Sequence, residues 1–212
     1  MGQRVVIVGT GGMGREAAAW IADAIPQAEL LGFLDDGPAR HATEVAGLPV
    51  LGDLGWLDGH GDVEVVAAIG APAGRARLID HLDAVGARLT PLVHPSATIG
   101  PRVTIAEGAI VCPGVLLTCD VRIGRAAIVD YGAMVGHDGG IGDAAFIAPG
   151  VQLAGNVTVG ERADVGIGAS VIQGIHVGQD AVVGAGAVVI RDVPAATTVV
   201  GVPAKPLQRG ER

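Results

Sequence analysis

His137 and Asp138 are neighbours in Val135-Gly-His-Asp138. An imidazole titrates near neutral pH and can take a proton from an attacking amine or hydroxyl, while a carboxylate on its other nitrogen orients it. Cys119 precedes His137 by eighteen residues and would offer a thiol beside the imidazole, although an outward cysteine on a turn needs no role. A second group lies at the front of the chain, where Gly9-Thr-Gly-Gly-Met-Gly14 follows an apolar run and Asp35-Asp36 comes later. This spacing fits three readings: a dinucleotide fingerprint, a cradle for another nucleotide-linked molecule, or a turn that needs glycine for shape alone. The front segment is too short to include a partner domain for hydride transfer. A three-histidine metal site is not expected, because His94, His137 and His176 are the histidines of the second half and stand far apart. Solvation suffices for His41, His60 and His81, which lie in loops or on a helix.

The second half has a strict period. Counting in sixes from Val93 gives seventeen consecutive first positions, ending at Val189, and every one is Val, Ile or Leu. Half of the chain is apolar, so chance would produce this run with odds below about one in 10⁵. Fifth positions are mostly small, from Ala97 to Val193, and glycine recurs at the second or fourth position. Neither a helix nor simple alternation has a period of six. A solenoid does: each hexad makes a short strand and a turn, and three hexads close one triangular coil. Stacked about 4.8 Å apart, the coils make a prism about 27 Å tall. Its narrow interior explains why the chain has only two Phe, two Trp and one Tyr. His137 and Asp138 are the third and fourth residues of their hexad, at a turn, pointing outward. Gly155 stacks one coil above His137 and leaves a backbone N–H open. Pro149, Ile167 and Ala185 form another stacked column.

The front segment reads as α/β. Strands are expected at Arg4–Val8, Leu30–Leu34, Val63–Ile69 and Arg88–Val93, with helices at Arg15–Ala24 and Arg75–Val85. That alternation implies a small parallel sheet. The Gly loop, Asp35-Asp36 and Gly70 then meet at the carboxyl ends of its strands, where ligands bind in such sheets. The expected organisation is a Rossmann-like domain over 1–92, a parallel β-helix over 93–194 and a tail over 195–212.

Composition excludes several functions. The net charge is −8 without a basic cluster, which argues against nucleic-acid partners. No apolar stretch is long enough for a membrane span. The chain runs from Met1 directly into a strand, with no signal-peptide pattern, and Val6 stands where a myristoylation motif needs Ser or Thr. Two cysteines give no disulfide framework, so a cytoplasmic location is expected. Flat aliphatic-edged prism faces would pack in threes, giving a homotrimer with sites at the subunit interfaces.

The hexad pattern resembles the hexapeptide-repeat transferases, whose β-helix is left-handed and trimeric. A narrower resemblance covers nearly the whole chain. Gly9-Thr-Gly-Gly-Met-Gly-Arg15, Phe33-Leu-Asp-Asp36, Ala68-Ile-Gly70, His94-Pro-Ser-Ala97, Val135-Gly-His-Asp138, Ile141-Gly-Asp143, Ile147-Ala-Pro-Gly150 and Gly201-Val-Pro-Ala-Lys205 occur in that order. Together they are similar to the bacterial sugar acyltransferases acting on nucleotide-linked amino sugars, grouped with sialic acid O-acetyltransferases. The resemblance implies acetyl-CoA as co-substrate and no metal. It makes His137 the general base and Asp138 its holder, with the Gly155 amide facing the thioester carbonyl. Gly155, Ile167, Ala185, Phe146 and Lys205 would lie along the cofactor, and Gly11, Gly12, Met13, Asp35, Asp36, Gly70 and Asp130 would meet the sugar nucleotide. Three positions depart from the family: Met13 and Phe146 stand where His is common, and Asp130 where Asn is usual. They imply a retained reaction with an altered acceptor or acyl group. The alternatives are O-acylation of a sugar, acylation of a non-sugar amine, or a nucleotide-sugar-binding trimer without turnover. A lyase of the carbonic-anhydrase type shares the prism but needs the three-histidine site.

Overall fold

The run Val5–Val8 is buried along its length, as befits the central strand of a parallel sheet covered on both faces. It forms β1 (Arg4–Val8) in a computed structural model that describes residues 2–207. The other front strands are β2 (Glu29–Leu34), β3 (Glu44–Val45), β4 (Leu48–Gly52), β5 (Glu64–Ala67) and β6 (Arg88–Leu89). The sheet order is β3-β4-β2-β1-β5-β6, parallel throughout except for the β3–β4 hairpin. Helices α1 (Gly12–Ala24) and α2 (Pro72–Ala84) make the crossovers. Both begin three residues before the expected starts, Arg15 and Arg75: α1 grows directly out of the Gly loop, and Pro72 opens α2 with a ring already set for a first helical turn. The β3–β4 hairpin is hidden in the sequence by Gly47 and Pro49, which read as a break.

The expected strand Arg88–Val93 divides in two. Arg88–Leu89 pairs with β5, whereas Leu92–Val93 pairs with Ile110–Val111 in the second half. Pro91 lies between them without an N–H to continue the first ladder.

From Leu92 onward the chain winds into a left-handed parallel β-helix of two-residue strands on three faces. Face 1 starts with Leu92–Val93, face 2 with Thr98–Ile99 and face 3 with Thr104–Ile105. Successive partners are eighteen residues apart, as in Val111↔Val129 and Val129↔Ile147. Inward-facing first positions such as Leu117, Val135 and Leu153 are fully buried, as are fifth positions such as Ala127, Ala133 and Ala145. Every fourth-position residue from Arg102 to Gly186 has a positive φ, so the sharp corner recurs at one fixed place in each hexad. The strict period stops after Val189 because the last coil is shorter. Val165 pairs with Val183, eighteen residues on, but Val183 pairs with Val199, sixteen on. Thr198–Val200 still extends face 1, and Lys205–Pro206 folds back against it. Residues 208–212 of the expected tail lie outside the described residues.

The two halves share one core. Leu92, Ile110 and Ile128 point outward from face 1 yet are fully buried, because Ala17, Trp20 and Ile21 of α1 pack in the same apolar cluster. The front domain therefore covers the lower part of face 1.

Candidate active site

Asp138 occupies the left-handed turn position of its hexad, with φ 58°, a conformation Asp tolerates better than most residues. This turn sits at the corner between faces 2 and 3. It drives the side chain of His137 outward, where both residues are more than half exposed. His137 Nδ1 lies 2.8 Å from Asp138 Oδ2. With Nδ1–H donating to the carboxylate, Nε2 keeps its lone pair and is the atom able to accept a proton. The ring leans toward the coil above. A β-carbon built on Gly155 would sit 2.3 Å from Nε2, so Nε2 occupies the space that any other residue at 155 would fill. The Gly155 N–H has no hydrogen-bond acceptor among the described residues. The ring points away from the coil of Cys119, which supplies only a backbone carbonyl to Asp138 N at 3.1 Å. The Cys-His pairing is not formed.

A cavity of about 680 Å³ opens at the carboxyl ends of β1, β2 and β5. Gly11, Gly12, Met13, Asp35, Asp36 and Gly70 all line it. Gly14 is there for packing, since a β-carbon would meet the Gly9 carbonyl oxygen at 1.8 Å. Gly11, Gly12 and Gly70 are different: a β-carbon on any of them would touch nothing within 4 Å. The protein's own packing does not require glycine at these three places, and the space they leave opens into the cavity. Asp35 braces the loop. Its Oδ2 accepts from Thr10 N at 3.1 Å and from the Thr10 hydroxyl, and its Oδ1 from Gly37 N at 3.0 Å. Partial burial would raise its pKa, but these hydrogen bonds outweigh it and hold the carboxyl below the usual range. Asp36 is exposed and free of that brace.

Sequence reasoning misses Arg77 and His81, which also line the cavity; His81 reads there as a solvated helix residue. The available signal is their spacing. Four residues apart on α2, they share one helix face, and that face looks at the Gly loop. The remaining histidines serve structure. His94 lies edge-on to Trp20 at the domain junction, His60 stacks on Trp56, and His176 bonds Thr158.

The expected site residues do not converge within one protomer. His137, Asp138 and Gly155 share the corner between faces 2 and 3. Asp130 is on the corner between faces 1 and 2, and Phe146 is on face 1 between Ile128 and Asp164. Asp130 is buried beside α1, and its Oδ1 accepts from Tyr131 N at 2.8 Å. Burial raises its pKa, and burial followed by the Asp130 charge raises that of Glu16. Burial also pushes the neighbouring Cys112 thiol up. Ile167 and Ala185 stack higher on the Asp130 corner, joined by a Gly186 N to Ile167 O bond of 2.8 Å. The 201–204 segment crosses above them through Val188 N to Gly201 O and Ala204 N to Val188 O, leaving Lys205 exposed near the same end. Among the described residues no cluster of His, Cys, Asp or Glu is placed to hold a metal, and no helix is long and apolar enough to cross a membrane.

Residues 4–82 match the family of PglD N-terminal domains. Curated protein sequences give no significant match. Solved structures do. Perosamine N-acetyltransferase from Caulobacter crescentus, as a histidine-to-asparagine variant in complex with CoA and GDP-perosamine, is 39% identical over 96% of each chain, with a TM-score of 0.89. The acetyltransferase domain of PglB from Neisseria gonorrhoeae, in complex with acetyl coenzyme A, is 33% identical over 98% of this chain and 100% of its own, with a TM-score of 0.90. WeeI from Acinetobacter baumannii is 30% identical over 97% and 100%, with a TM-score of 0.88. The chain belongs to the hexapeptide-repeat sugar acetyltransferases, enzymes that take an acetyl group from acetyl-CoA.

Proposed function

We propose that the protein transfers the acetyl group of acetyl-CoA to the amine of a nucleotide-linked amino sugar, with His137 as general base. The observation that carries this reading is the held geometry of His137: Nδ1 tied to Asp138 and Nε2 set against Gly155. The amine nitrogen attacks the thioester carbonyl, and Nε2 takes the proton that the nitrogen sheds. The Gly155 N–H is available to the oxyanion of the tetrahedral intermediate. Collapse expels the CoA thiolate, which takes the proton back and leaves as the free thiol beside the new amide.

The acceptor's nucleotide belongs in the front cavity. Amides of the Gly11–Met13 turn at the start of α1 favour phosphate, and Arg77 supplies positive charge across from them. Asp36 offers an acceptor to a ribose hydroxyl or a base N–H. The Caulobacter relative is in complex with GDP-perosamine, so a GDP-linked amino sugar is the first acceptor to test.

The working form is a homotrimer with composite sites. In one protomer the front domain covers face 1, whereas His137 lies on the opposite edge of the prism. A sugar held in the cavity would therefore meet the His137 of a neighbouring subunit. Face 2 supports such packing: its outward residues, among them Leu116, Met134, Gln152 and Val188, include no charge. The protein works in the cytoplasm, consistent with its two free cysteines.

The test is thiol release from acetyl-CoA with a panel of UDP-, dTDP- and GDP-linked amino sugars and their hydroxyl counterparts. Release with an amino sugar that is lost in His137→Ala supports the reading. Release that survives in the variant removes His137 as the base, and release only with a hydroxyl sugar replaces N- by O-acylation.

A further inference from the structure

Arg75 is the largest fully buried side chain. All five of its N–H groups meet backbone carbonyls, and those carbonyls belong to two different domains. On the front-domain side Nη1 donates to Ile69 O and, at 2.7 Å, to Gly70 O. On the prism side Nε donates to Ala126 O at 2.7 Å, and Nη2 to Ala144 O at 2.8 Å and Ala145 O at 3.0 Å. Ala126 and Ala144 are the left-handed corner residues of two successive coils, with φ 50° and 51°. On an open corner their carbonyls would face water. Here they lie under α2 and would be buried without partners. Burial pulls the guanidinium pKa down to about 10, with Asp164 opposing the shift, so it stays charged at neutral pH.

Satisfying buried carbonyls would be a structural role. The identity of the front-domain carbonyls adds a functional one. Ile69 and Gly70 line the same cavity as the Gly loop. We infer that Arg75 is a positioning residue that keys the rim of the sugar-nucleotide cavity to the corner of the catalytic prism, and so fixes where the acceptor is held. This rests on the acceptor reading given above. Arg75 touches neither substrate: it acts through Ile69 and Gly70. Lysine cannot replace it, since three N–H groups on one nitrogen cannot reach five carbonyls spread around the edge of the guanidinium plane.

The experiment uses full-length Arg75→Lys and Arg75→Met. Binding of UDP, dTDP and GDP, and separately of CoA, is measured by calorimetry well below the melting temperature, alongside KM for the sugar nucleotide and for acetyl-CoA. The expected result is a nucleoside diphosphate Kd and a sugar-nucleotide KM raised about tenfold in Arg75→Lys and further in Arg75→Met, with CoA values within about twofold of wild type. Should Arg75→Met fail to fold, Arg75→Lys decides. A folded Arg75→Lys with unchanged nucleotide binding overturns the inference, as does equal weakening of both ligands, which marks a purely structural residue. Wild-type protein that binds none of the three nucleotides overturns the acceptor reading and this inference with it, and it does so before any variant is made.

Discussion

Gly155→Ala places the geometry of His137, the proposed base, under direct strain. The new β-carbon would lie 2.3 Å from His137 Nε2 and 2.4 Å from Cε1, whereas ordinary contact begins at 3.4 Å. The ring must therefore retreat by about 1 Å or more, a displacement that can cost about 10²-fold in rate when it moves a reacting atom. That corresponds to about 2.7 kcal/mol of transition-state stabilisation. The fold has little to lose. Gly155 is not in the left-handed region, and His137 is exposed enough to swing aside, so the stability change should stay within about 0.5 kcal/mol. The assay is kcat/KM for thiol release, with thermal melting as the control. The double variant Gly155→Ala/His137→Ala should be no slower than His137→Ala, because both changes remove the same group. If Gly155→Ala kept activity within about threefold of wild type, or lost it only in step with its melting temperature, the assignment of Nε2 as the base would be wrong.

Asp138→Asn keeps the turn but weakens the hold on Nδ1; kcat should drop about ten- to a hundredfold with KM for acetyl-CoA little changed. Arg77→Ala should raise the sugar-nucleotide KM about tenfold without moving that of acetyl-CoA, measured in the same kinetics. Asp130→Asn should raise the melting temperature at neutral pH. The sign follows from linkage: a carboxyl whose folded pKa is raised binds more protons in the folded state, so it destabilises above that pKa and the cost fades as pH falls through it. The gain from Asn should accordingly shrink as melts are taken toward pH 4, near the ordinary carboxyl value of 3.8.

The prism is legible because each hexad repeats one physical demand: an aliphatic residue inside, a small one at the corner, a turn residue beside it. Val93 to Val189 satisfy it without interruption, so neither strand propensity nor long-range pairing has to be guessed. The juxtaposition of Gly155 and His137 is legible for the same reason, since a known period places one above the other. The sheet's β3–β4 hairpin is not, because Gly47 marks a turn and Pro49 looks like a loop residue that only its pairing with Glu44 makes strand. Arg75 and Arg77 are equally silent. On α2 they are two ordinary helix arginines, one turned under the helix against prism carbonyls and the other into the cavity, and that difference depends on how the domains pack. The separation of Asp130 and Phe146 from His137, by contrast, follows from the period. Seven and nine residues from it in the chain, they fall on other parts of the prism because each hexad turns the chain through a third of a coil.

That separation makes the composite site the central claim, and mixed trimers test it. His137→Ala removes the base and leaves the cavity whole; Gly12→Trp fills the cavity and leaves the base. Each alone should be inactive. Co-expressed in equal amounts and purified together, they should recover about a quarter of wild-type activity, because a site needs an intact His137 from one subunit and an intact cavity from another, each present half the time. A co-expressed pool that remains as inactive as its parents would contradict the account and return cavity and base to the same chain.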